Sequence, residues 1–206
     1  MDVFDIYKKL YKIYGPQKWW PVKYNKRNSG FEISVGAILT QNTSWKNVEK
    51  ALECLHKNNL LDVKSIIGCP TRKLQKCLRP SGYYKQKTKK LKIFCNWLVT
   101  NYKGKLEMFL KRPLPRARKE LLSVWGIGPE TADSILLYAG NKPTFVIDAY
   151  TKRLCELFKR RFGSYDSCQY YFQSNLPRSA KIFNEYHALI VASGKDKHNK
   201  ICPRAN

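Results

Sequence analysis

The segment Trp125–Ala132 reads WGIGPETA, and an aspartate, Asp148, follows Gly128 by 20 residues in PTFVIDAYTKRL. These are the positions whose residue types and spacing could do chemistry. Gly126 and Gly128 bracket a single isoleucine, Ile127, between two helix-like stretches, RARKELLSV and ETADSILLYA. A turn of this form is a helix-hairpin-helix. Glycine permits positive φ and lets the backbone approach whatever binds there. With no side chains in the way, the amides at the start of the second helix can face a phosphate. Pro129 sits in the first helical turn, where its missing N–H costs nothing. The same turn also serves as a plain connection between packed helices. Asp148 has two readings as well: it follows a short apolar run at the head of a helix, where aspartate is an ordinary N-cap, or it serves a site.

The elements that must hold these residues are helical. Apolar residues at positions 3, 7, 10 and 14 make the N-terminal segment an amphipathic helix. SWKNVEKALECLHKN puts Trp45, Val48, Leu52 and Leu55 on one face, with Thr43 or Ser44 as its cap. YKQKTKKLKIFCNWLVTNY does the same with Leu91, Phe94 and Leu98, and its opposite face is nearly all lysine. PTFVI is the best strand candidate, and it is only five residues long. Breaks near GPQKWWP, CPTR, KRPLPR, GNKP and SNLPRS leave about nine or ten helices. The chain reads as all-α.

Composition narrows the partners. Lys plus Arg number 39 against 15 acidic residues in a chain of 206, a net charge of +24. A field of that sign draws polyanions, nucleic acid first and anionic membrane second. No apolar run approaches the roughly 20 residues of a membrane span. The start carries Asp2 and Asp5 and lacks a continuous apolar core, so it does not read as a signal peptide. Seven cysteines, odd in number and without a CxxC pair, read as buried thiols in a reducing cytosol; the expected location is cytoplasmic, and nucleoid-associated if the source is a prokaryote.

Hairpin and aspartate together, at this spacing, resemble the helix-hairpin-helix (HhH-GPD) DNA glycosylases of the endonuclease III superfamily. The resemblance runs along nearly the whole chain. It implies two helical lobes with duplex DNA in a cleft between them: a six-helix barrel lobe over residues 23–134 containing the hairpin, and a second lobe of residues 1–22 plus 135–206 carrying Asp148. It implies that Gly126, Ile127 and Gly128 grip a DNA phosphate, with Glu130 and Thr131 alongside and often a monovalent cation on the hairpin carbonyls. Asp148 becomes the catalytic carboxylate. Breaking an N-glycosidic bond builds oxocarbenium character on the sugar, which an anion beside C1′ stabilises, and the same group can orient or deprotonate water. In bifunctional members the residue two after the second glycine is a lysine that attacks the sugar. Here it is Glu130, which cannot form a Schiff base, so a monofunctional enzyme is expected.

FEISVGAILTQNTSWKNVEKAL resembles the superfamily's N-terminal helix pair, where a glutamine at the place of Gln41 fills the hole left by an everted nucleotide. A polar helix cap is the alternative. WWP at Trp19–Pro21, LTQNTSW ending at Trp45, and LRPSGYYKQKTKKL resemble the bacterial 3-methyladenine DNA glycosylases of endonuclease III type. In that group two aromatics sandwich the base; Trp20 and Trp45 match them, with Trp19 as fallback and core packing as the alternative for each. An indole face suits a cationic methylated purine, to which a desolvated contact contributes about 2 kcal/mol. Lys195 falls where the last helix returns towards the base pocket, or is a solvated lysine. Many relatives end in a four-cysteine iron–sulfur motif; this tail has only Cys202, so no cluster is expected. His187 and His198 are too few for a zinc site and read as surface or packing residues. The lysine-rich faces should contact phosphates, each adding about 0.9 to the salt dependence. Two other readings stand beside the alkylbase glycosylase: the same fold acting on uracil, mismatched thymine or hypoxanthine, and a catalytically silent DNA-binding module. A monomer is the default for this architecture.

Overall fold

The computed structural model describes residues 2–196. Among these the chain is wholly helical, with twelve α-helices and no strand. That exceeds the nine or ten helices expected, because several are single turns that periodicity does not register. No helix of the described residues is long and apolar enough to cross a membrane. The chain forms two compact units: Val22–Gly140, and Met1–Pro21 with Asn141–Asn206.

The first unit holds eight helices: α2 (Ser29–Leu39), α3 (Trp45–Lys57), α4 (Val63–Gly68), α5 (Thr71–Leu78), α6 (Tyr84–Tyr102), α7 (Leu106–Leu110), α8 (Leu114–Leu122) and α9 (Pro129–Ser134). The expectation for this unit was six helices. Its boundary also lies beyond residue 134, because α9 runs on through a π-helical turn, Ile135–Ala139, whose Ile135, Leu136 and Leu137 pack against α2. Helix α2 is the unit's axis: every residue from Phe31 to Leu39 is buried, as its nearly continuous apolar sequence requires. The one charged residue among them, Glu32, is satisfied by accepting the amides of Lys23, Tyr24 and Asn25 at 2.9, 3.0 and 2.6 Å. Helix α6 buries Leu91, Phe94 and Leu98 as expected.

The lysine face of α6 is less solvated than its sequence suggests. Lys87 is buried with its ammonium on the Ser81 carbonyl at 2.5 Å, and Lys92 reaches the Cys69 carbonyl at 2.7 Å. Burial first, and the nearby charge of Lys90 second, push the Lys87 ammonium down to about 8.

The second unit holds α1 (Val3–Tyr14), α10 (Ala149–Leu157), α11 (Tyr165–Ser174) and α12 (Ala180–Lys195). Helix α1 lies along α12, burying Val3, Ile6 and Leu10, and Tyr186 donates its hydroxyl to the Val3 carbonyl at 3.0 Å. PTFVI is not a strand. Phe145, Val146 and Ile147 are buried in an extended segment whose backbone is served by side chains. Gln173 accepts the Phe145 amide at 3.0 Å, Gln169 donates to the Phe145 carbonyl at 2.7 Å, and the Tyr165 hydroxyl accepts the Ile147 amide at 3.3 Å. Helix α11 thus does for this segment what a neighbouring strand would do, and it fixes where Asp148 emerges. Five of the six described cysteines are buried and Cys54 is half-buried; Cys202 and His198 lie outside the described residues.

Candidate active site

The hairpin joins α8 to α9. Gly126 has φ +86°, a conformation L side chains rarely adopt, and a β-carbon there would meet the stem of Lys90 at 2.5 to 2.9 Å. Gly128 differs from expectation. Its φ is −92° with extended ψ, so it supplies no positive φ; it caps α9, and a β-carbon on it would meet nothing within 4 Å. Its contribution is clear space over the turn. Ile127 is buried and anchors the loop, its amide closing on the Val124 carbonyl at 3.0 Å. The first helical bond of α9 runs from Ala132 to Gly128, so the amides of Glu130 and Thr131 stand in the first turn, where a helix offers N–H groups to an anion. Glu130 is exposed, whereas the Thr131 side chain is buried. A bond from Arg118 to the fully buried Asp133 at 3.0 Å ties α8 to α9.

Gln41 is bound into this turn. Its amide nitrogen donates to the Gly126 carbonyl at 3.0 Å and to the Thr131 hydroxyl at 2.9 Å, while its carbonyl accepts the Lys90 ammonium. Burial pushes Lys90 down from the ordinary lysine value. Sequence alone did not pick out Lys90 for this role, since nothing in a lysine-rich run marks the one that turns inward. Trp125 is 50% exposed at the turn, with the Lys89 ammonium 4.4 Å from its ring centre. Trp45 begins α3 and is half-buried; Ser44 is its N-cap by position but makes no side-chain cap bond.

The second unit carries the carboxylate. Asp148 is the N-cap of α10: its Oδ1 accepts the Thr151 amide at 2.7 Å and the Thr151 hydroxyl at 3.0 Å. Its side chain keeps 14% of its surface, and Oδ2 lies 3.5 Å from Nε2 of His187 on α12. Burial is the largest influence and pushes the carboxyl up. The adjacent His187 imidazole and the two bonds from Thr151 together outweigh it and hold the group below its ordinary range. His187 is therefore neither a surface residue nor a simple packing one. No sequence signal linked it to Asp148, 39 positions earlier.

Trp19 and Trp20 lie in the same unit, both half-buried, with ring centres 5.1 Å apart and planes tilted by 54°. Lys195 is exposed at the end of α12. It shares a groove of about 540 Å³ with Tyr150, Arg153, Leu154 and Leu157, a lining that does not include Asp148. The structure thus groups Gln41 with the hairpin in one unit, and Asp148 with His187 and Thr151 in the other.

A polycationic helical chain that leaves one hairpin turn as open backbone, and keeps a mostly buried carboxylate ionised at a helix head, is built as a helix-hairpin-helix enzyme of DNA base chemistry. Comparison with known proteins makes the assignment particular. Residues 35–170 match the family described as HhH-GPD superfamily base excision DNA repair protein, and the chain belongs to that family. It is a DNA glycosylase of base excision repair. It is 45% identical over 196 residues to the "Putative DNA repair glycosylase" of Methanocaldococcus jannaschii, a match spanning 92% of this chain and 85% of that protein. Among solved structures, the 3-methyladenine DNA glycosylase (MagIII) of H. pylori bound to 1,N6-ethenoadenine superposes with a TM-score of 0.81. The two are 29% identical, with 95% of this chain and 98% of that one covered. A trapped endonuclease III–DNA covalent intermediate shares the fold at a TM-score of 0.79 and 20% identity, with coverage of 98% and 91%.

Proposed function

We propose that the protein is a monofunctional glycosylase that hydrolyses the N-glycosidic bond of alkylated, 3-methyladenine-like bases in duplex DNA, acting as a monomer. The observation that carries this reading is the ionised Asp148 carboxylate, held below its ordinary range in a mostly buried setting. A base alkylated at N3 of adenine is cationic. It departs with the bonding electron pair as a neutral molecule and needs no proton from the protein. What the reaction does need is stabilisation of positive charge on the sugar, and a fixed anion in a low-dielectric site supplies it. Water then adds at C1′ and loses a proton, for which the same carboxylate is the acceptor.

Two further features support the details. Glu130 occupies the place of the lysine in bifunctional members and has no amine to attack the sugar. Trp20 and Trp45 each keep part of their surface exposed, and an indole face attracts a cationic purine more than a neutral pyrimidine. The H. pylori structure, whose protein is a 3-methyladenine glycosylase, points the same way. For Gln41 to fill the space of an everted nucleotide it must first release Gly126 and Thr131, so on this reading DNA binding exchanges those bonds for the plug. A monovalent cation on the hairpin carbonyls is part of this reading and would add positive charge for the phosphate.

The test is a panel of duplexes carrying methylated, deaminated or mismatched bases, with abasic sites opened by hot alkali. Release of 3-methyladenine with no borohydride-trapped adduct is expected. Release confined to uracil, thymine or hypoxanthine would replace the substrate assignment, and a high yield of covalent adduct would overturn the monofunctional mechanism.

A further inference from the structure

The two oxygens of Asp148 are held differently. Both cap bonds, from the Thr151 amide at 2.7 Å and the Thr151 hydroxyl at 3.0 Å, converge on Oδ1. They fix that oxygen and leave the plane of the carboxylate to be set by whatever meets Oδ2. What meets it is Nε2 of His187 at 3.5 Å. The imidazole is itself well fixed. His187 is 7% exposed, stands edge-on to the Phe145 ring, and follows Tyr186, which is fully buried and tied to the Val3 carbonyl. Helix α12, which carries it, packs against both α10 and α1.

We propose that His187 is a positioning residue of the glycosylase reaction: its Nε2 holds Oδ2 of Asp148, and with it the plane of the carboxylate, in the orientation used against the sugar and the attacking water. The inference rests on the reading of Asp148 as the reacting carboxylate. A helix cap needs only one oxygen, and here Thr151 has taken it. A reaction that stabilises charge at one carbon atom needs the second oxygen aimed, and misplacement by about 1 Å costs on the order of 100-fold in rate. A contact of 3.5 Å is long for a hydrogen bond, and such bonds in unliganded sites tighten when the substrate arrives. The cap and the imidazole thus divide the carboxylate between folding and chemistry.

The decisive comparison is between His187→Gln, which returns an N–H donor at similar reach, and His187→Leu, which fills the same space with no donor. Each is measured as the single-turnover excision rate at saturating protein on a 3-methyladenine duplex, with the dissociation constant of the same duplex and the circular dichroism melt recorded alongside. His187→Leu should lose roughly 10- to 100-fold in rate with duplex binding unchanged within about twofold, and His187→Gln should recover most of that rate. Equal losses in both variants, a loss confined to binding, a rate within twofold of the parent for His187→Leu, or failure of both to fold would each overturn the proposal. Asp148→Asn separates the two levels. If Asp148→Asn excises normally, the catalytic reading itself falls; if it is inactive while His187→Leu is normal, only the role of His187 falls.

Discussion

Asp148 both caps α10 and is proposed to carry the chemistry, and two substitutions separate these roles. Asparagine keeps an acceptor at Oδ1, so Asp148→Asn retains the bonds from the Thr151 amide and hydroxyl and is as good an N-cap as aspartate. What it loses is the charge. At a helix N-terminus that charge contributes about 0.3 to 1 kcal/mol, and the loss is offset by relief from burying it. The melting temperature should therefore stay within about 2–4 °C of the parent, the shift that 1 kcal/mol gives in a chain of this size. Asp148→Ala loses the cap as well, a further 1–2 kcal/mol or so, and should melt roughly 3–6 °C lower.

Catalysis should treat the two variants alike. A unit charge about 4 Å from a developing cation, at an effective dielectric near 20, contributes about 4 kcal/mol, or about three orders of magnitude in rate. Both variants should lose around 1000-fold in single-turnover excision while holding their affinity for the lesion duplex. The comparison is best made near pH 7.5. Because the folded carboxyl lies below its unfolded value of 3.8, its contribution to stability is complete above that value and fades only as pH falls through the lower folded one. Excision by Asp148→Asn within tenfold of the parent would refute the catalytic assignment, and equal destabilisation by Asn and Ala would refute the cap argument.

Two further outcomes follow from the hairpin unit. Gly126→Ala places a β-carbon at φ +86°, into the Lys90 stem; the backbone strain alone is about 1–2 kcal/mol. It should lower the melting temperature by several degrees and weaken duplex binding without changing base preference, and an unchanged affinity in gel-shift titration would count against the hairpin as the DNA-gripping turn. Lys87→Met removes an ammonium that is costly to bury. With the folded Lys87 at about 8 and an ordinary lysine at 10.5, the folded state releases its proton first, so parental stability gains with pH across that window while the methionine variant lacks the effect. The advantage of Lys87→Met in urea unfolding should be greatest at and below pH 7 and smaller by roughly 2 kcal/mol at pH 9.5; a gap independent of pH would show that the ammonium is not desolvated.

The sequence was most informative where local rules decide the outcome. The helical character, the faces of α3 and α6, the breaks at proline and glycine, and the turn at Gly126 were legible because each follows from spacing within a dozen residues. It misled where a distant group supplies the partner. PTFVI has a strand's composition, yet Gln169, Gln173 and Tyr165 serve its backbone from a helix that starts 21 residues after Thr144. Lys87 and Lys90 look like members of a solvated lysine face, but Lys87 turns back onto the Ser81 carbonyl, and what distinguishes Lys90 is Gln41 and the hairpin rather than its neighbours in sequence. His187 gave no sign of its tie to Asp148, since a contact between the head of one helix and the middle of another leaves no periodic trace. The conformational need for Gly128 was also misjudged: its φ suits any residue, and what distinguishes the position is clear space on its open side.

The placement of Asp148 bears on how a buried anion can be afforded in a chain that otherwise presents a large positive field. Burying a lone carboxylate is costly unless hydrogen bonds and an opposite charge meet it. At the head of α10 most of that requirement coincides with what folding needs anyway: an acceptor for the Thr151 amide, a hydroxyl to second it, and a favourable helix end. Only Oδ2 and its histidine are left over from the requirements of a cap. On the proposed mechanism, a cationic leaving group removes the need for a protein acid, so one carboxylate suffices, and Glu130 in place of a nucleophilic lysine costs such an enzyme nothing. A neutral base would ask for protonation or specific hydrogen bonds at its leaving nitrogen, which a single ionised carboxylate cannot supply. On this proposal, an ionised Asp148 suits substrates that already carry their charge.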